Sequence, residues 1–464
     1  MPQPQNYSLP VRPGNSTAAE TASGTPIAEP CSAARRILAD SPIMLTLVAK
    51  SAEALTLIAL ATVVPRALGP ADYGLFAFVL AVVGMVSMSL SLGGPLLLSR
   101  FVPAAPVAER NALALALTLR IARFRALMVL VAIALAVALT TVVPERFPTE
   151  AALFVSIALA LDVAATLLYQ VALALGRPRL WSFRFPLQNT LLVVAALTLH
   201  ATAGVNGAIA AVAIASGGAL LVGLPVVVRQ LRPAKSLPSL PPGALRFGIL
   251  QGVSGFFAQI TLRGNVLLVL LLTGDKVEAG FAAFATGLVL AATYVVWQVF
   301  TIEFPRLSAR AEADPASVEA AARQLARTAT LVLMPASLAG VLLAGPVLPH
   351  VLGRGFGGVE EALVPALAAL PFAGLTALAT QVAALRLRSD IRVRITAVGA
   401  GVFLVAAVVA VPEWGAVGGT CAFLAGTTAT VFAAARELPG ILDRPLVAVA
   451  TAASVAVLMI GAFT

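Results

Sequence analysis

The sequence predicts an all-α, polytopic membrane protein, with about 12 to 13 transmembrane helices arranged as two parallel six-helix repeats around a central cavity. Composition is the first observation behind this prediction: 59% of the 464 residues are hydrophobic and 11% are charged, against about 45–50% and about 25% in soluble domains. The second is that apolar runs of about 20 residues, enough to cross about 30 Å of hydrocarbon, recur from residue 43 onwards. The third is a set of short motifs that recur about 208 residues apart.

Residues 1–41 are rich in Pro, Ser, Thr, Ala and Gly and contain no apolar run, so we expect a disordered cytoplasmic tail. A cleaved signal peptide is not expected, because its short apolar core would have to come first. Thirteen candidate spans follow the tail: 43–64, 74–99, 124–143, 151–175, 181–202, 204–228, 247–272, 279–302, 328–348, 359–385, 392–411, 415–435 and 445–463.

The distribution of positive charge predicts the orientation of these spans. If the N-terminus is cytoplasmic and the spans alternate, 25 of the 31 lysines and arginines, Arg125 and Arg184 among them, count as cytoplasmic and four fall in outer loops, while Lys50 and Arg263 lie within spans. Such an excess of cytoplasmic cations is typical of membrane proteins. The cations form no dense basic stripe, so no nucleic-acid partner is predicted. The two cysteines are far apart and lack a neighbouring His cluster, so no metal site is predicted.

Two cytoplasmic segments, 100–123 and 303–327, are longer than the others. Each is predicted to be a basic amphipathic segment that lies along the membrane surface. They follow the second and the eighth spans, which are six spans apart, and this equivalence indicates an internal duplication.

Sequence motifs support the duplication. The matching pairs are GPADYGLFAF at 69–78 with GDKVEAGFAAF at 274–284, ALGRPR at 174–179 with ALRLRS at 384–389, and VNGA at 205–208 with EWGA at 413–416. Each unit holds six spans, an even number, so both units have the same orientation. Parallel repeats of this kind occur in transporters, where the substrate site lies between the halves.

The predicted organisation is therefore an N-terminal six-helix lobe at 42–232, a C-terminal six-helix lobe at 243–437 and an additional transmembrane helix at 444–463. The 28 arginines against 3 lysines, and the abundance of Ala and Val, favour a bacterium of high GC content. The predicted location is the bacterial cytoplasmic membrane.

Four segments also carry a resemblance to a known family: LGPADYGLFAF at 68–78, SLGGPLLLSRFV at 91–102, ALGRPRL at 174–180 and VPEWGAVGGT at 411–420. In this order and spacing they resemble the polysaccharide (Wzx-type) flippases of the multidrug/oligosaccharidyl-lipid/polysaccharide exporter superfamily. The likeness runs from about residue 43 to about residue 437. It implies two six-helix lobes around a central cavity, which move an undecaprenyl-diphosphate-linked oligosaccharide to the outer leaflet by alternating access. Membrane lipid is an expected partner, and the need for polysaccharide assembly proteins stays open.

The seventh span departs from the pattern of that family. Such flippases often carry an acidic residue early in this helix, whereas TLRGN at 261–265 places Arg263 there and no carboxylate. That position therefore has no carboxylate that could bind a coupling ion. No cofactor is expected, and coupling to a proton or sodium gradient stays open.

Charged residues within the spans are the first candidates for function, because each costs roughly 2.5–3.5 kcal/mol at the bilayer centre. Arg263 and Lys50 are predicted to bind the diphosphate, whose oxygens accept charge-assisted hydrogen bonds. The alternative is that Lys50 pairs with Glu53 and that Arg263 bonds to carbonyl groups of a neighbouring helix. Glu53 and Asp162 are either ion-coupling sites or structural carboxylates.

Polar residues within the spans form a possible glycan path: Gln251, Gln259 and Asn265 in the seventh span, Gln188 and Asn189 in the fifth, and Trp297 in the eighth. Interhelical hydrogen bonds are an equally good explanation of the amides. An aromatic residue near a helix end is also typical of the membrane interface.

Three functions are compatible with these observations. The first is a flippase for lipid-linked oligosaccharide. The second is an ion-coupled exporter of small amphiphilic drugs, whose cavity would favour carboxylates over cations. The third is an integral membrane glycan ligase or polymerase, which is less supported because the longest predicted outer loop has only about ten residues and carries no paired catalytic groups. No enzymatic activity is therefore predicted.

Overall fold

A computed structural model describes residues 42–91, 93–106, 108–142, 149–231, 243–310, 314–386 and 388–463. Every regular element in these ranges is helical, as predicted. The α-helices are α1 (Pro42–Ser89), α2 (Gly94–Ala104), α3 (Arg110–Val142), α4 (Thr149–Ala174), α5 (Pro178–Val228), α6 (Ala244–Thr273), α7 (Lys276–Arg310), α8 (Pro315–Leu352), α9 (Val359–Ala368), α10 (Leu370–Leu385), α11 (Ser389–Glu437) and α12 (Arg444–Phe463).

Nine of the described helices are long and apolar enough to cross a membrane, and the bent pair α9–α10 makes a tenth. Three of the ten have apolar stretches of 38, 51 and 49 residues, in α1, α5 and α11. At 1.5 Å per residue the longest would extend about 75 Å, far more than the roughly 30 Å of a bilayer core. Each of the three is interrupted by a glycine with positive φ, at Gly69, Gly204 and Gly415.

The chain doubles back at Gly204, where φ is 59°. A Cβ atom placed on Gly207 would lie 2.2 Å from the carbonyl oxygen of Leu199, eight residues earlier, whereas eight residues of straight helix extend about 12 Å. Further from the turn, Gln188 donates a hydrogen bond of 3.2 Å to Ser216. Helix α5 is therefore a hairpin of two antiparallel arms. Gly204 permits the turn, because glycine adopts positive φ at little cost.

The same hairpin occurs at Gly415, where φ is 51°. A Cβ atom on Gly418 would lie 2.3 Å from the carbonyl oxygen of Ala410, and one on Gly426 would lie 2.7 Å from Cβ of Phe403. Counting α1, α5 and α11 as two spans each raises the number from ten to thirteen, the number predicted. The predicted match of VNGA with EWGA is wrong by three residues, because Gly204 rather than Gly207 has the turn conformation found at Gly415.

The predicted end of the second span is wrong, and the two predicted surface segments belong to longer helices. The second span was predicted to reach residue 99, but α1 ends at Ser89 and α2 begins at Gly94, after Gly93 with φ 60°. The segments predicted to lie along the membrane surface are mostly continuations of long helices: 110–123 belongs to α3, and 303–310 and 315–327 belong to α7 and α8. Apolar periodicity did not reveal these extensions, because a helix does not end where its hydrophobic face ends.

The predicted span 359–385 is broken between α9 and α10, with a bend of 46°. Two hydroxyl groups from other helices bond to carbonyl oxygens at this break: Ser337 of α8 donates to Leu367 at 2.6 Å, and Ser454 of α12 donates to Ala368 at 2.7 Å. Unsatisfied backbone groups cost several kcal/mol in hydrocarbon. The additional helix α12 therefore packs as an integral part of the second half and supports the bend.

Candidate functional site

Helices before residue 232 meet helices after residue 243 along a row of glycines, here called the glycine seam: Gly74, Gly84 and Gly93. A Cβ atom on Gly74 would lie 1.9 Å from the carbonyl oxygen of Lys276 in α7, and one on Gly93 would lie 2.6 Å from Cβ of Gln251 in α6. Small residues allow helix backbones to approach closely in membranes. The two halves are thus in direct contact towards both ends of the seam.

Arg263 lies in the middle of the seam, on α6. A Cβ atom on Gly84 would lie 3.1 Å from the nearest guanidinium nitrogen of Arg263 and 3.2 Å from its central carbon. The guanidinium therefore occupies the space that a side chain at residue 84 would fill. Among the residues that the structure describes, no hydrogen bond or ion pair is formed by Arg263, which lies about 15 Å along the helix axis from the end of α6 at Thr273.

Asp162 of α4 is bound by three donors. Its Oδ1 accepts hydrogen bonds from Gln188 at 2.9 Å and from Arg184 at 3.3 Å, both on the first arm of α5. Its Oδ2 accepts a short hydrogen bond from Ser87 of α1. The same carboxylate also interacts electrostatically with Arg125 and with Arg263. The predicted ion-coupling candidate is thus the shared counter-ion of several arginines.

Arg184 was assigned to a cytoplasmic loop by the charge distribution, but it is 4% exposed and forms a buried ion pair with Asp162. It also donates to Thr166 at 2.7 Å, and its guanidinium lies 4.8 Å from the ring centroid of Phe185. Its Nε is buried and has no hydrogen-bond partner among the described residues. The sequence signal for a buried Arg184 was Asp162 in the fourth span, because a carboxylate inside a helix bundle needs a cation nearby.

Arg125 was assigned to the same class of loop and is 2% exposed. It donates to the carbonyl oxygens of Leu90 at 3.1 Å and Ser91 at 3.0 Å, and to the side chain of Gln170 at 3.1 Å. These two carbonyl groups follow the end of α1, where helix carbonyls lack intrahelical partners and favour a cation. Arg125 therefore fixes the break between α1 and α2.

Glu53 is 2% exposed and accepts a short hydrogen bond from the hydroxyl of Tyr294 on α7, which links the two halves. The ring of Tyr294 stacks on Trp297 with centroids 5.5 Å apart. The predicted glycan-path residue Trp297 thus lies next to an interhelical contact. Lys50, the second predicted phosphate ligand, is in the helical part of α1, and its side chain lies outside the described structure.

The remaining predicted path residues lie apart from one another. Gln251 bonds to Ser389 at 2.8 Å and accepts from Arg392, so it joins α6 to the start of α11. Asn265 is fully buried and donates to Thr286 of α7 at 3.1 Å. Gln259 has a buried carbonyl oxygen without a partner in the described part of the chain. Of the five predicted amides, Gln188 bonds to Asp162, and no hydrogen bond is described for its neighbour Asn189.

Solved structures of membrane transporters have a fold similar to that of this chain. The chain matches the lipid II flippase MurJ in an inward closed conformation with a TM-score of 0.67 and 11% identity, over 90% of this chain and 93% of that one. It matches an inward-facing multidrug resistance MATE family transporter of the MOP superfamily with a TM-score of 0.57 and 12% identity, over 90% and 97%. It matches a mutant of the Vibrio cholerae MATE transporter VcmN with a TM-score of 0.53 and 16% identity, over 94% and 98%.

No protein-family model and no curated protein sequence matches the chain. TM-scores of 0.53 to 0.67 show a common fold over nearly the whole length, and identities of 11% to 16% leave the substrate undecided. This protein is a multi-pass membrane protein with the fold shared by the MurJ flippase and the MATE transporters.

Proposed function

We propose that this chain is a flippase that carries an undecaprenyl-diphosphate-linked oligosaccharide across a bacterial cytoplasmic membrane by alternating access, with its N-terminus in the cytoplasm. In this proposal, residues 42–232 and 243–437 are the two lobes, and 444–463 is an additional helix of the second lobe. Proteins of polysaccharide assembly would supply and receive the substrate.

The observation that carries the proposal is the position of Arg263. Its guanidinium lies between the halves, against Gly84, and makes no ion pair or hydrogen bond with the described residues. A charge of this kind inside a membrane helix bundle is costly and marks a substrate or ion pathway. Guanidinium groups bind phosphate oxygens through parallel, charge-assisted hydrogen bonds, so an anionic headgroup is the fitting ligand.

The alternative, an exporter of small amphiphilic cations, needs an available carboxylate between the halves. Both predicted carboxylates already accept hydrogen bonds: Asp162 from Ser87, Arg184 and Gln188, and Glu53 from Tyr294. A carboxylate that is already bonded to a cation and two neutral donors attracts a cationic drug less than a bare one. The described charges therefore favour an anionic substrate.

Alternating access requires the seam to open at one end at a time. At one end Gly74 contacts α7, where a Cβ atom on Gly280 would in turn lie 2.3 Å from the carbonyl oxygen of Pro70. Phe356 packs beside this contact, with its ring centroid 6.4 Å from that of Tyr73 and 6.1 Å from that of Phe281. At the other end Gly93 contacts Gln251. Transport would separate these contacts in turn.

The test is transport in proteoliposomes with a fluorescent undecaprenyl-diphosphate-linked sugar, whose arrival in the outer leaflet is measured by quenching. We expect Arg263→Ala and Arg263→Lys to slow transport by tenfold or more, which is about 1.4 kcal/mol. Lysine keeps the charge but lacks the planar fork. The exposed Arg123, changed to Ala, is the matched control and should transport at the parental rate.

Transport of a cationic dye such as ethidium is measured in the same vesicles. Parental rates of sugar-lipid transport in both Arg263 variants would refute the phosphate role. Dye export without sugar-lipid transport would establish the drug exporter instead.

A further inference from the structure

The cluster around Asp162 contains a second guanidinium that the proposed function does not use. Arg184 is 4% exposed, and its Nε has no hydrogen-bond partner in the described part of the chain. The side-chain oxygen of Gln188, which shares Asp162 Oδ1 with Arg184, is likewise buried without a described partner. Two polar atoms beside one carboxylate thus retain unused hydrogen-bonding capacity, which is uncommon for buried groups.

The charges of this region do not balance. Asp162 interacts electrostatically with Arg125, Arg184 and Arg263, so three guanidinium groups share one carboxylate. Glu53, which faces Tyr294, reduces the excess by at most one charge. Buried charge without compensation is strongly unfavourable. The region therefore favours the arrival of a further anion, and a diphosphate diester, which carries one negative charge on each phosphate, fits this excess.

The donors around Asp162 are those that a phosphate group uses. Asp162 Oδ1 receives the guanidinium of Arg184 at 3.3 Å and the amide of Gln188 at 2.9 Å, while Oδ2 receives the hydroxyl of Ser87. Arg125 is not available to a ligand, because it bonds to the carbonyl groups of Leu90 and Ser91. The two guanidinium groups with remaining capacity are Arg184 and Arg263.

We propose that Asp162 is an internal counter-ion that occupies an anion site in the substrate-free protein, and that the diphosphate of the substrate displaces it from Arg184 and Gln188 and bridges Arg184 to Arg263. This inference rests on the proposed function. It adds Arg184 and Gln188 to the substrate site and makes Asp162 a competitor of the substrate. The carboxylate leaves as one phosphate group arrives, so Arg184 is never left unpaired, and the second phosphate group supplies the additional negative charge that Arg263 lacks.

The experiment measures binding of inorganic pyrophosphate to the purified full-length protein in detergent, by calorimetry and by the shift of the thermal midpoint. Asp162→Asn removes the competing charge and keeps the shape of the side chain. We expect this variant to have a lower midpoint without ligand, a larger midpoint shift with pyrophosphate and about tenfold tighter binding, within the usual range of coupling between competing groups. Arg184→Gln should bind about tenfold more weakly than the parent.

Asp443→Asn is the matched control, because Asp443 pairs with Arg327 at 2.9 Å outside the spans. It should leave pyrophosphate binding unchanged. If Asp162→Asn does not fold, Ser87→Ala loosens the same carboxylate from its Oδ2 side, and we expect about threefold tighter binding. Absence of any gain in the folded variant overturns the inference.

The outcomes separate the two proposals. If the parent binds pyrophosphate and Arg263→Gln abolishes binding while Asp162→Asn gains nothing, the internal counter-ion is wrong and the flippase stands. If only Asp162→Asn binds pyrophosphate, the internal counter-ion is supported. If neither the parent nor Asp162→Asn binds it, both proposals fail.

Discussion

The two halves of the molecule differ in how far their arginine ion pairs are exposed to solvent. In the first half the arginine pair Arg184–Asp162 has side-chain exposures of only 4% and 13%, while the contact between His200 and Asp72 is 21% and 39% exposed. In the second half the described ion pairs lie at exposed helix ends, where the arginine side chains are 35% to 58% exposed: Arg323–Glu319, Arg327–Asp443, Arg386–Glu319, Arg388–Asp390, Arg394–Asp390 and Arg394–Glu437.

The interior contacts differ in the same way. Within the second half, several interior contacts between helices use neutral groups, as in Asn265 with Thr286, Ser337 with the Leu367 carbonyl and Ser454 with the Ala368 carbonyl. The charged groups Arg392 and Glu278 also join helices there, but each bonds to a neutral partner, Gln251 and the Ala416 N–H. The first half instead contributes a charged network, and the second half places Arg263 against it. The difference indicates that the ion pair Arg184–Asp162 serves the face that meets Arg263, because the described helices of the second half pack together without an ion pair of such low exposure.

The largest effect is expected for Arg125→Leu. This change leaves the carbonyl group of Leu90 and the side-chain oxygen of Gln170 without the donor described for them, while the Ser91 carbonyl keeps only the Gly94 N–H. We expect a loss of about 3 kcal/mol in stability, since each buried unsatisfied group costs about 1–3 kcal/mol. The measurement is the thermal midpoint in detergent. The exposed neighbour Arg123→Leu is the control, and equal midpoints would mean that Arg125 does not fix the break after α1.

Arg263→Leu is expected to lower the transport rate without lowering the stability of the protein. Removing a partly buried cation that lacks a direct partner is neutral or stabilising by about 1 kcal/mol, whereas transport of the sugar-lipid should fall at least tenfold, or about 1.4 kcal/mol. The thermal midpoint and the vesicle assay are measured on the same preparation. A large loss of stability would place Arg263 among the structural arginines of the first half.

Gly84→Ala should give a smaller effect at the same place. The added Cβ would lie 3.1–3.4 Å from three atoms of the Arg263 guanidinium, so the side chain must shift by a few tenths of an ångström. We expect pyrophosphate affinity to fall about threefold, or about 0.7 kcal/mol. Gly287→Ala is the matched control, since a Cβ there meets nothing within 4 Å. Equal affinities in both variants would show that the fit between Gly84 and Arg263 has no role in binding.

The smallest effect is expected at the exposed ion pair Arg327–Asp443 in the second half. The hydrogen bond from Arg327 lowers the pKa of Asp443 below its ordinary value. A depressed carboxylate pKa adds stability above the unfolded pKa of about 3.9, and this stability is lost as the pH falls through the folded pKa. Asp443→Asn should therefore cost under about 0.5 kcal/mol at pH 7. The difference in midpoint should vanish in acid, and one that persisted there would not come from the ion pair.

The candidate site was predictable only in part. Arg263 and Asp162 stood out because charges are rare in apolar runs, and Gln188 was singled out as a polar residue of the fifth span. Arg184 was missed because its position next to the loop at residues 175–177 made it count as a cytoplasmic cation, whereas α5 begins at Pro178 and carries it inward. Gly84 gave no signal, since a glycine in a helix acquires a role only from the group that approaches it.

Composition and apolar periodicity by themselves determined that this chain is a membrane protein of about thirteen helical spans. This property is local, because it depends on the length of each hydrophobic run compared with the thickness of the bilayer. The tertiary structure alone decided that Asp162 pairs with Arg184, that Arg263 lies against Gly84, and that Ser337 and Ser454 support the break near residue 369. Such contacts join residues 22 to 179 positions apart, so they depend on which helix faces pack together, which the sequence pattern of a single helix does not contain.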